Sequence, residues 1–483
     1  MKNNFLKMKK SALHRLSFAA ATLIWLCFSS SEVSAQDLNS AYFIDNYTYS
    51  YRLNPAFTTK KNFVGGLLSN VNAGTYSNIG ISTLFYPYEG QLATFMHKSV
   101  DKDEFLGKLK DKNRINVNAS YNIASTGFWT KFKGKKIFQT FELNLRSNSA
   151  AKIPYNLFKF LKGGSEDDFF YDLSHVSAYT QTYLEAAAGT STRFGNLEVG
   201  ARAKFLVGTN KMYMNIKQMY ASLDGFDWSF HSKAVMTGAG GGIKRRMKEG
   251  SMGGYEAVDF NGIKYRPLGL GGLGGAIDIG ARYQVNEYIN VSASINDLGV
   301  ILWRNRVVGY NDGSTWIVSV DDIALDDVGG LGDVIEGIID KVESVYEFLP
   351  DKKNFTTQSL PINFNAGAEF KMPFYKKMSI GLLGSFRSSH LTRYNEFRIS
   401  LNATPLKWLS LSLNTAYTTF GWELGGMVNV YAKKFSAFLG TDSHYYHMTP
   451  QLLPVNEFNT HVVFGVNYLL TRNPWIKRSR QNR

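Results

Sequence analysis

Cysteine is almost absent from this 483-residue chain: the single one is Cys27. Everything downstream is therefore without disulfides and without thiol chemistry. Proline is scarce at 11 residues, which excludes a proline-rich chain and leaves room for long strands. Beyond residue 35 there is no apolar run approaching the roughly 20 residues of a membrane-spanning helix. No Gly-x-Ser-x-Gly elbow, His-Glu-x-x-His pair or phosphate loop ending in Gly-Lys-Ser/Thr occurs. The sequence thus carries no recognisable nucleophile, zinc or nucleotide signature, and no enzyme activity, cofactor or metal is expected. Gly269–Gly274 spells the dinucleotide fingerprint, but a strand pattern follows it where a phosphate-binding helix is required. Its glycines read as tight turns and close strand approach. His444 and His447 stand beside Asp442 with no third histidine near in sequence, short of the three protein ligands of a catalytic zinc.

What the chain has instead is alternation. Ile289, Val291, Ala293 and Ile295 interleave with Asn290, Ser292, Ser294 and Asn296. Leu409, Leu411 and Leu413 interleave with Ser410, Ser412 and Asn414. Ile115, Val117, Ala119, Tyr121 and Ile123 interleave with Asn116, Asn118, Ser120 and Asn122. A period of two sends each set to one face of a strand. A mean hydropathy of -0.20 fits a membrane barrel, because half of each strand faces a polar interior. The aromatic content of 14% fits interfacial girdles, with Tyr283, Tyr288, Trp303, Tyr375, Trp408, Tyr417, Trp422 and Tyr468 as candidates. The expected fold is all-β: a closed antiparallel transmembrane β-barrel of about 14 strands, alternative 16. Short helices are expected in the outer loops, and the segment before Tyr76 reads as a plug or an extra hairpin.

The ends set the location. Lys2, Lys7, Lys9, Lys10 and Arg15 precede the apolar run Leu16–Phe28, and Val33-Ser34-Ala35 offers a small-x-small cleavage site before Gln36. This is the layout of a secretory signal peptide, and Leu26 before Cys27 does not fit a lipobox. The formal net charge is +15. Removing the leader, with five basic residues and Glu32, leaves +11. That charge is spread over turns and tail, at Lys131–Lys136, Lys376-Lys377 and Lys477–Arg483. It suits anionic lipid headgroups, lipopolysaccharide and the periplasmic face, not nucleic acid, for which no motif is present. The expected organisation is a signal peptide at 1–35, a hatch or plug at 36–75, a barrel at 76–470 and a basic periplasmic tail at 471–483, in a monomer of the bacterial outer membrane.

Turn lengths sort the topology. The connections near Val285–Tyr288, Arg193–Asn196, Met372–Lys377, Ala403–Lys407 and Ala432–Lys434 are short and fall at one end, the periplasmic one. Tyr86–Arg114, Ser147–Thr180, Val308–Leu360 and Ser443–Asn459 are long and fall outside. The count of 14 treats Gly208–Gly275 as loop; strands near Trp228–Met236 and Tyr255–Tyr265 would raise it to 16. Within an outer loop, Asp333–Leu349 has apolar residues at helical spacing, ended by Pro350, and reads as an amphipathic helix across the mouth. Strand parity turns Glu142, Arg146, Glu198, Arg202, Lys204, Asp278, Arg282, Glu369, Arg387 and Arg398 into the lumen. Charges of both signs in a low-dielectric shell should pair, so a wide non-selective pore, or a ring of one sign, is not expected.

Two segments carry a family likeness. Leu53-Asn54-Pro55-Ala56-Phe57 resembles the Asn-Pro-Ala element in the hatch of FadL-type long-chain fatty acid transporters, and a similar element in Bacteroidota barrels of secretion and gliding assemblies. The strand Ser294–Trp303, with Asp297, Leu298, Gly299 and Trp303, is similar to an Asp-Leu-Gly…Trp strand of uncharacterised Bacteroidota outer-membrane barrels. The whole chain looks most like that uncharacterised, FadL-like family. The resemblance implies a 14-stranded barrel, a lumenal hatch whose turn is Asn54, Pro55, Ala56 and Phe57, and uptake of hydrophobic small molecules. The alternative is a barrel that anchors a surface, secretion or gliding assembly through protein partners. The insertions Gly238–Gly275 and Val318–Leu349 depart from a plain fatty acid transporter.

Overall fold

Burial in this protein is inverted. Along the strand Arg393–Leu406, Glu396, Arg398, Ser400 and Asn402 are buried while Phe397, Ile399 and Leu401 are exposed. Ser410, Ser412 and Asn414 are buried while Leu411 and Leu413 are exposed. Apolar residues outside and polar residues inside is the arrangement of a sheet closed on itself in a membrane. The computed structural model describes residues 38–470 apart from 89–90, 96, 164–169, 225–226, 241–245, 250–253, 259–268, 312, 314, 320–347, 351–354, 389–390, 392 and 444–459. No helix among the described residues is long and apolar enough to cross a membrane.

Fourteen antiparallel strands close the wall. Several are interrupted, with successive segments sharing one lane. They are β1 (Asn62–Gly65 and Val71–Ser77), β2 (Lys112–Phe132), β3 (Lys135–Pro154), β4 (Phe170–Asp172 and Val176–Phe194) and β5 (Leu197–Asp224). Next come β6 (Asp227–Gly240 and Gly272–Gln284), β7 (Ile289–Tyr310 and Thr315–Ser319) and β8 (Leu349–Pro350, Phe355–Ser359 and Ile362–Lys371). The wall ends with β9 (Met378–Ser388), β10 (Arg393–Leu406), β11 (Leu409–Thr418), β12 (Gly421–Tyr431), β13 (Phe435–Ser443) and β14 (Thr460–Leu470). Each pairs with its sequence neighbour, and β1 closes the circle between β14 and β2.

The expected count of fourteen holds, but its membership changes. The wall begins at Asn62, inside the segment 36–75 assigned to the hatch. The exposed pair Leu67-Leu68 interrupts the alternation of β1, yet both of its halves are needed to leave no open edge in lipid. Gly208–Gly275 is not loop throughout. Residues 227–240 form a strand beside the outer half of β5, in the lane that Gly272–Gln284 fills below. The chain leaves this lane at Gly240 and returns at Gly271, where an added Cβ would meet the Gly240 Cα. The hairpin Met247–Glu249/Glu256–Val258 is a separate sheet laid against the wall, where the Val258 amide donates to the Phe348 carbonyl at 2.8 Å and Val258 is buried with Val307 and Ile216.

The wall is lopsided. β5 runs 28 residues, where about ten suffice to cross, while β9 has 11. Strands β2 to β7 therefore extend beyond the bilayer and take up parts of the stretches Ser147–Thr180 and Val308–Leu360 assigned to loops. Short helices, Lys102–Gly107 and Tyr155–Gly163, lie at that same end. The helix expected at Asp333–Leu349 falls outside the described residues except at its end, where Leu349 joins β8.

Residues 38–61 fill the lumen as a plug. Leu38, Tyr42, Ile44, Tyr47, Tyr49, Tyr51 and Leu53 are buried with wall residues Phe63, Phe138, Leu383, Met427, Phe438 and Val463 in one apolar cluster. The wall is carved to receive the turn: a Cβ on Gly200 would overlap the Pro55 carbonyl, and one on Gly280 would overlap the Asn54 side chain. Overpacking of this kind costs about 1–3 kcal/mol per site. Gly200→Val and Gly280→Val are expected to release the plug while the wall still forms. Protease should then cleave within 38–61 in the folded barrel; full resistance in both variants would show that the seat is not tight.

Candidate functional site

The site is the contact between plug and wall. Asn54 sits fully buried at its lower turn. Its Oδ1 accepts from the Ala56 amide at 2.9 Å, a local bond that sets the turn ahead of the rigid Pro55. Its Nδ2 donates to the carbonyls of Ala281 and Ala293, each at 3.2 Å. The preceding carbonyl, of Leu53, accepts from Ser294 at 2.9 Å, Asn296 at 3.0 Å and Asn365 at 3.2 Å. Ala56 is buried, its carbonyl accepts from Ser191 at 3.1 Å, and Phe57 packs edge-on against Tyr42. The two segments that carry the family likeness therefore touch: Ser294 and Asn296 of β7 hold the Asn-Pro-Ala turn.

Above the turn runs a chain of eight charges. Arg52 of the plug meets Glu142 at 2.9 Å and Asn144 at 2.8 Å. Glu142 also takes the Tyr51 hydroxyl and Arg202 at 2.6 Å. Arg202 reaches Asp278 at 3.0 Å, and Lys204 reaches Asp278 at 2.8 Å and also Asp297. Arg146 joins Asp297 at 3.3 Å to Glu185 at 3.2 Å. Four cations face four carboxylates, as burial in a dry lumen requires. Glu142, Arg146, Arg202, Lys204 and Asp278, which parity turns inward, lie in this chain of charges. Parity cannot place Asp297. A bulge between the Ile277/Leu298 and Ile279/Ile295 pairs inverts the faces of β7, so Ile295 and Leu298 both point to lipid and Asp297 turns inward with φ 60. The Asp297 amide donates to Asp278 at 2.7 Å.

Trp303 does not join the aromatic girdle. Past the bulge its parity is inverted, and it is fully buried with Tyr183, Leu206, Ile301 and Leu360 in an apolar layer above the charges. It lies over Gly208, where a Cβ would strike the indole. Gly299 approaches Ala276 closely, and Leu298 faces outward. Tyr283, Tyr375, Trp408, Tyr417, Trp422 and Tyr468 are exposed.

A second cluster surrounds Arg398 near the opposite end of the plug. It meets Asp442 at 2.6 Å and Glu423 at 3.3 Å, and also Glu396. Asn39 of the plug donates to Glu396 at 2.8 Å, and Ser40 donates to Asp442. His461 lies 2.6 Å from Asn72. The sequence reading missed Arg52, Glu185, Glu396, Glu423, Asp442 and His461. The same-face rule applied to Arg398 would have found Glu396, two residues earlier. Asp442 stands near the end of β13, one residue before the expected loop Ser443–Asn459, and enters the sequence reading only beside His444 as a metal ligand. Glu198, Arg282 and Glu369 line the lower mouth, with Arg282 3.5 Å from Glu369 and 3.9 Å from Glu198. Arg387 is half-buried on β9. His444 and His447 lie outside the described residues, among which no metal-holding cluster occurs.

The sizeable cavity, ≈ 660 Å³, is a groove in the wall near β1, lined by Val64, Phe141, Leu143, Phe205 and a row of alanines that includes Ala186 and Ala188. Most of these side chains face outward.

Removing one partner from a buried ion pair costs about 3–5 kcal/mol, and removing both costs much less. Glu142→Ala is expected to destabilise the folded barrel by about that amount, because Arg52 and Arg202 lose their shared carboxylate. Arg52→Met with Glu142→Leu should cost less than Glu142→Ala alone. Urea unfolding in lipid vesicles measures both, and equal losses would mean that the pair is not coupled.

Comparison with known proteins adds a family. No curated protein matches the chain. Among solved structures, a mutant of the TodX monoaromatic hydrocarbon channel is similar at 11% identity over 92% of this chain and 97% of that one, with a TM-score of 0.42. A Pseudomonas aeruginosa FadL homologue is similar at 10% identity over 91% and 100%, TM-score 0.39. The Ralstonia pickettii toluene transporter TbuX is similar at 9% identity over 91% and 95%, TM-score 0.37. At this distance the likeness says nothing of what the present chain carries. Residues 55–442, from the plug turn to the end of β13, match a family of unknown function, DUF5723, and the chain belongs to that family.

Proposed function

We propose that this chain is a plug-gated channel of the outer membrane for the uptake of small hydrophobic molecules. The observation that carries the reading is the pairing of a wide wall with a separable plug. A barrel of about eight strands is filled by its own side chains, so a simple membrane anchor has no use for a fourteen-strand lumen and a segment to stop it. Here the stopper is the N-terminal segment, joined to the wall at one end only, at Asn62. The hydrophobic character of the cargo is supported by the alanine-lined groove that opens toward lipid, and by the apolar cluster of Tyr171, Leu173, Val176, Ile216 and Met219 on the strand extensions at the outer mouth. Ligand contact there, followed by movement of the plug, would open the path. A leader at 1–35, cleaved on export, accounts for delivery to the outer membrane, and a wall without free edges suits a monomer.

A second reading, a non-conducting scaffold for a surface or secretion assembly, is favoured by the eight-charge chain, which crosses the lumen fully paired. Single-channel conductance and binding of acyl detergents separate the two, measured on the mature protein and on a variant lacking Gln36–Thr59. The channel reading expects a silent intact barrel that binds the ligand and a truncated one that conducts. Silence in both, with no binding, would sink it and leave the scaffold.

A further inference from the structure

Four of the short turns at one rim carry lysines and no carboxylate. The β2–β3 turn presents Lys133, Lys135 and Lys136 beside Phe132, which is 62% exposed. The β8–β9 turn presents Lys376 and Lys377 beside Phe374, 80% exposed. Lys407 adjoins Trp408 on the β10–β11 turn, and Lys433-Lys434 adjoin Phe435 on the β12–β13 turn, with both aromatic rings exposed. These four turns contain no carboxylate. Among the described residues only Lys376 of this set makes an ion pair, 2.8 Å from Glu287. The remaining two turns are tied in by their rings: Lys135 lies 4.3 Å from the centre of Phe194, and Lys376 lies 5.6 Å from that of Tyr288.

We infer that this rim is a binding surface for anionic phospholipid headgroups of the periplasmic leaflet. Short turns mark the periplasmic end of a barrel. An aromatic ring that enters the interface next to an ammonium group that meets phosphate is the pairing expected at a headgroup layer. The distribution decides between a lipid and a protein. The cationic turns follow one another from β8 through β14 and β1 to β3, ten of the fourteen strands, and a leaflet is the partner that follows so long an arc, whereas a globular protein would engage a shorter one. The inference rests on the orientation of the barrel and not on transport.

The test uses the full mature protein, refolded into vesicles of phosphatidylcholine or of phosphatidylcholine with phosphatidylglycerol, with melting followed by heat-modified gel mobility. Two half-ring variants guard against a folding failure: K133Q/K135Q/K136Q, and K376Q/K377Q/K433Q/K434Q. K102Q/K110Q at the opposite end is the control. The wild type should melt higher with phosphatidylglycerol. Each half-ring variant should lose roughly half of that gain, the control should keep it, and about 1 M salt should abolish it by screening. Equal melting in the two lipids, a full gain in the variants, or loss of the gain in the control would overturn the inference. Capture of an acidic soluble protein without any lipid dependence would overturn it too.

Discussion

Arg52 is the only buried charge that the plug carries into the lumen, and it determines much of what surrounds it. A guanidinium removed from water needs a carboxylate in direct contact, so Glu142 must face inward on β3. Glu142 in turn lies against Arg202 of β5, which requires Asp278 on β6, and the chain continues through Lys204 to Asp297, Arg146 and Glu185. Each member is acceptable only because the next is present. The wall and the plug are for this reason one electrostatic unit, although a single covalent link joins them.

The inverted burial follows from the same dry interior. Polar side chains line the inner face because the plug offers them backbone and hydroxyl partners, of which the Leu53 carbonyl with its three donors is the densest case. Apolar side chains face outward because lipid, not water, is their solvent. Glycines stand where the plug backbone comes too close for any side chain. Gating and anchoring make different demands on this arrangement. A gate must break the Arg52–Glu142 contact reversibly; an anchor keeps it permanently.

Much of this was legible in the sequence, because period-two alternation is a direct consequence of strand geometry. It identified the barrel and the number of strands, and the residues it turned inward, Glu142, Arg146, Arg202, Asp278 and Arg398, are buried. It failed where geometry departs from a regular strand. One extra residue at the β7 bulge exchanged the two faces, hid Asp297 from the lumen and made Trp303 look like an interfacial ring. The break at Leu67-Leu68 hid β1, and the shared lane of β6 made its outer half look like loop. The Asn-Pro-Ala turn was recognised by likeness, but its seat was not. That seat joins residues more than 200 positions apart in sequence, and no local pattern records such a contact.

The buried charges and the carved seat require the plug to be as firmly held as the wall. Backbone hydrogen exchange on the mature barrel in lipid measures this directly. The account predicts that amides across residues 38–61 exchange as slowly as those of β9 to β13. Exchange within seconds across 38–61, over a protected wall, would show that the plug is loosely seated and that the buried charges do not hold it.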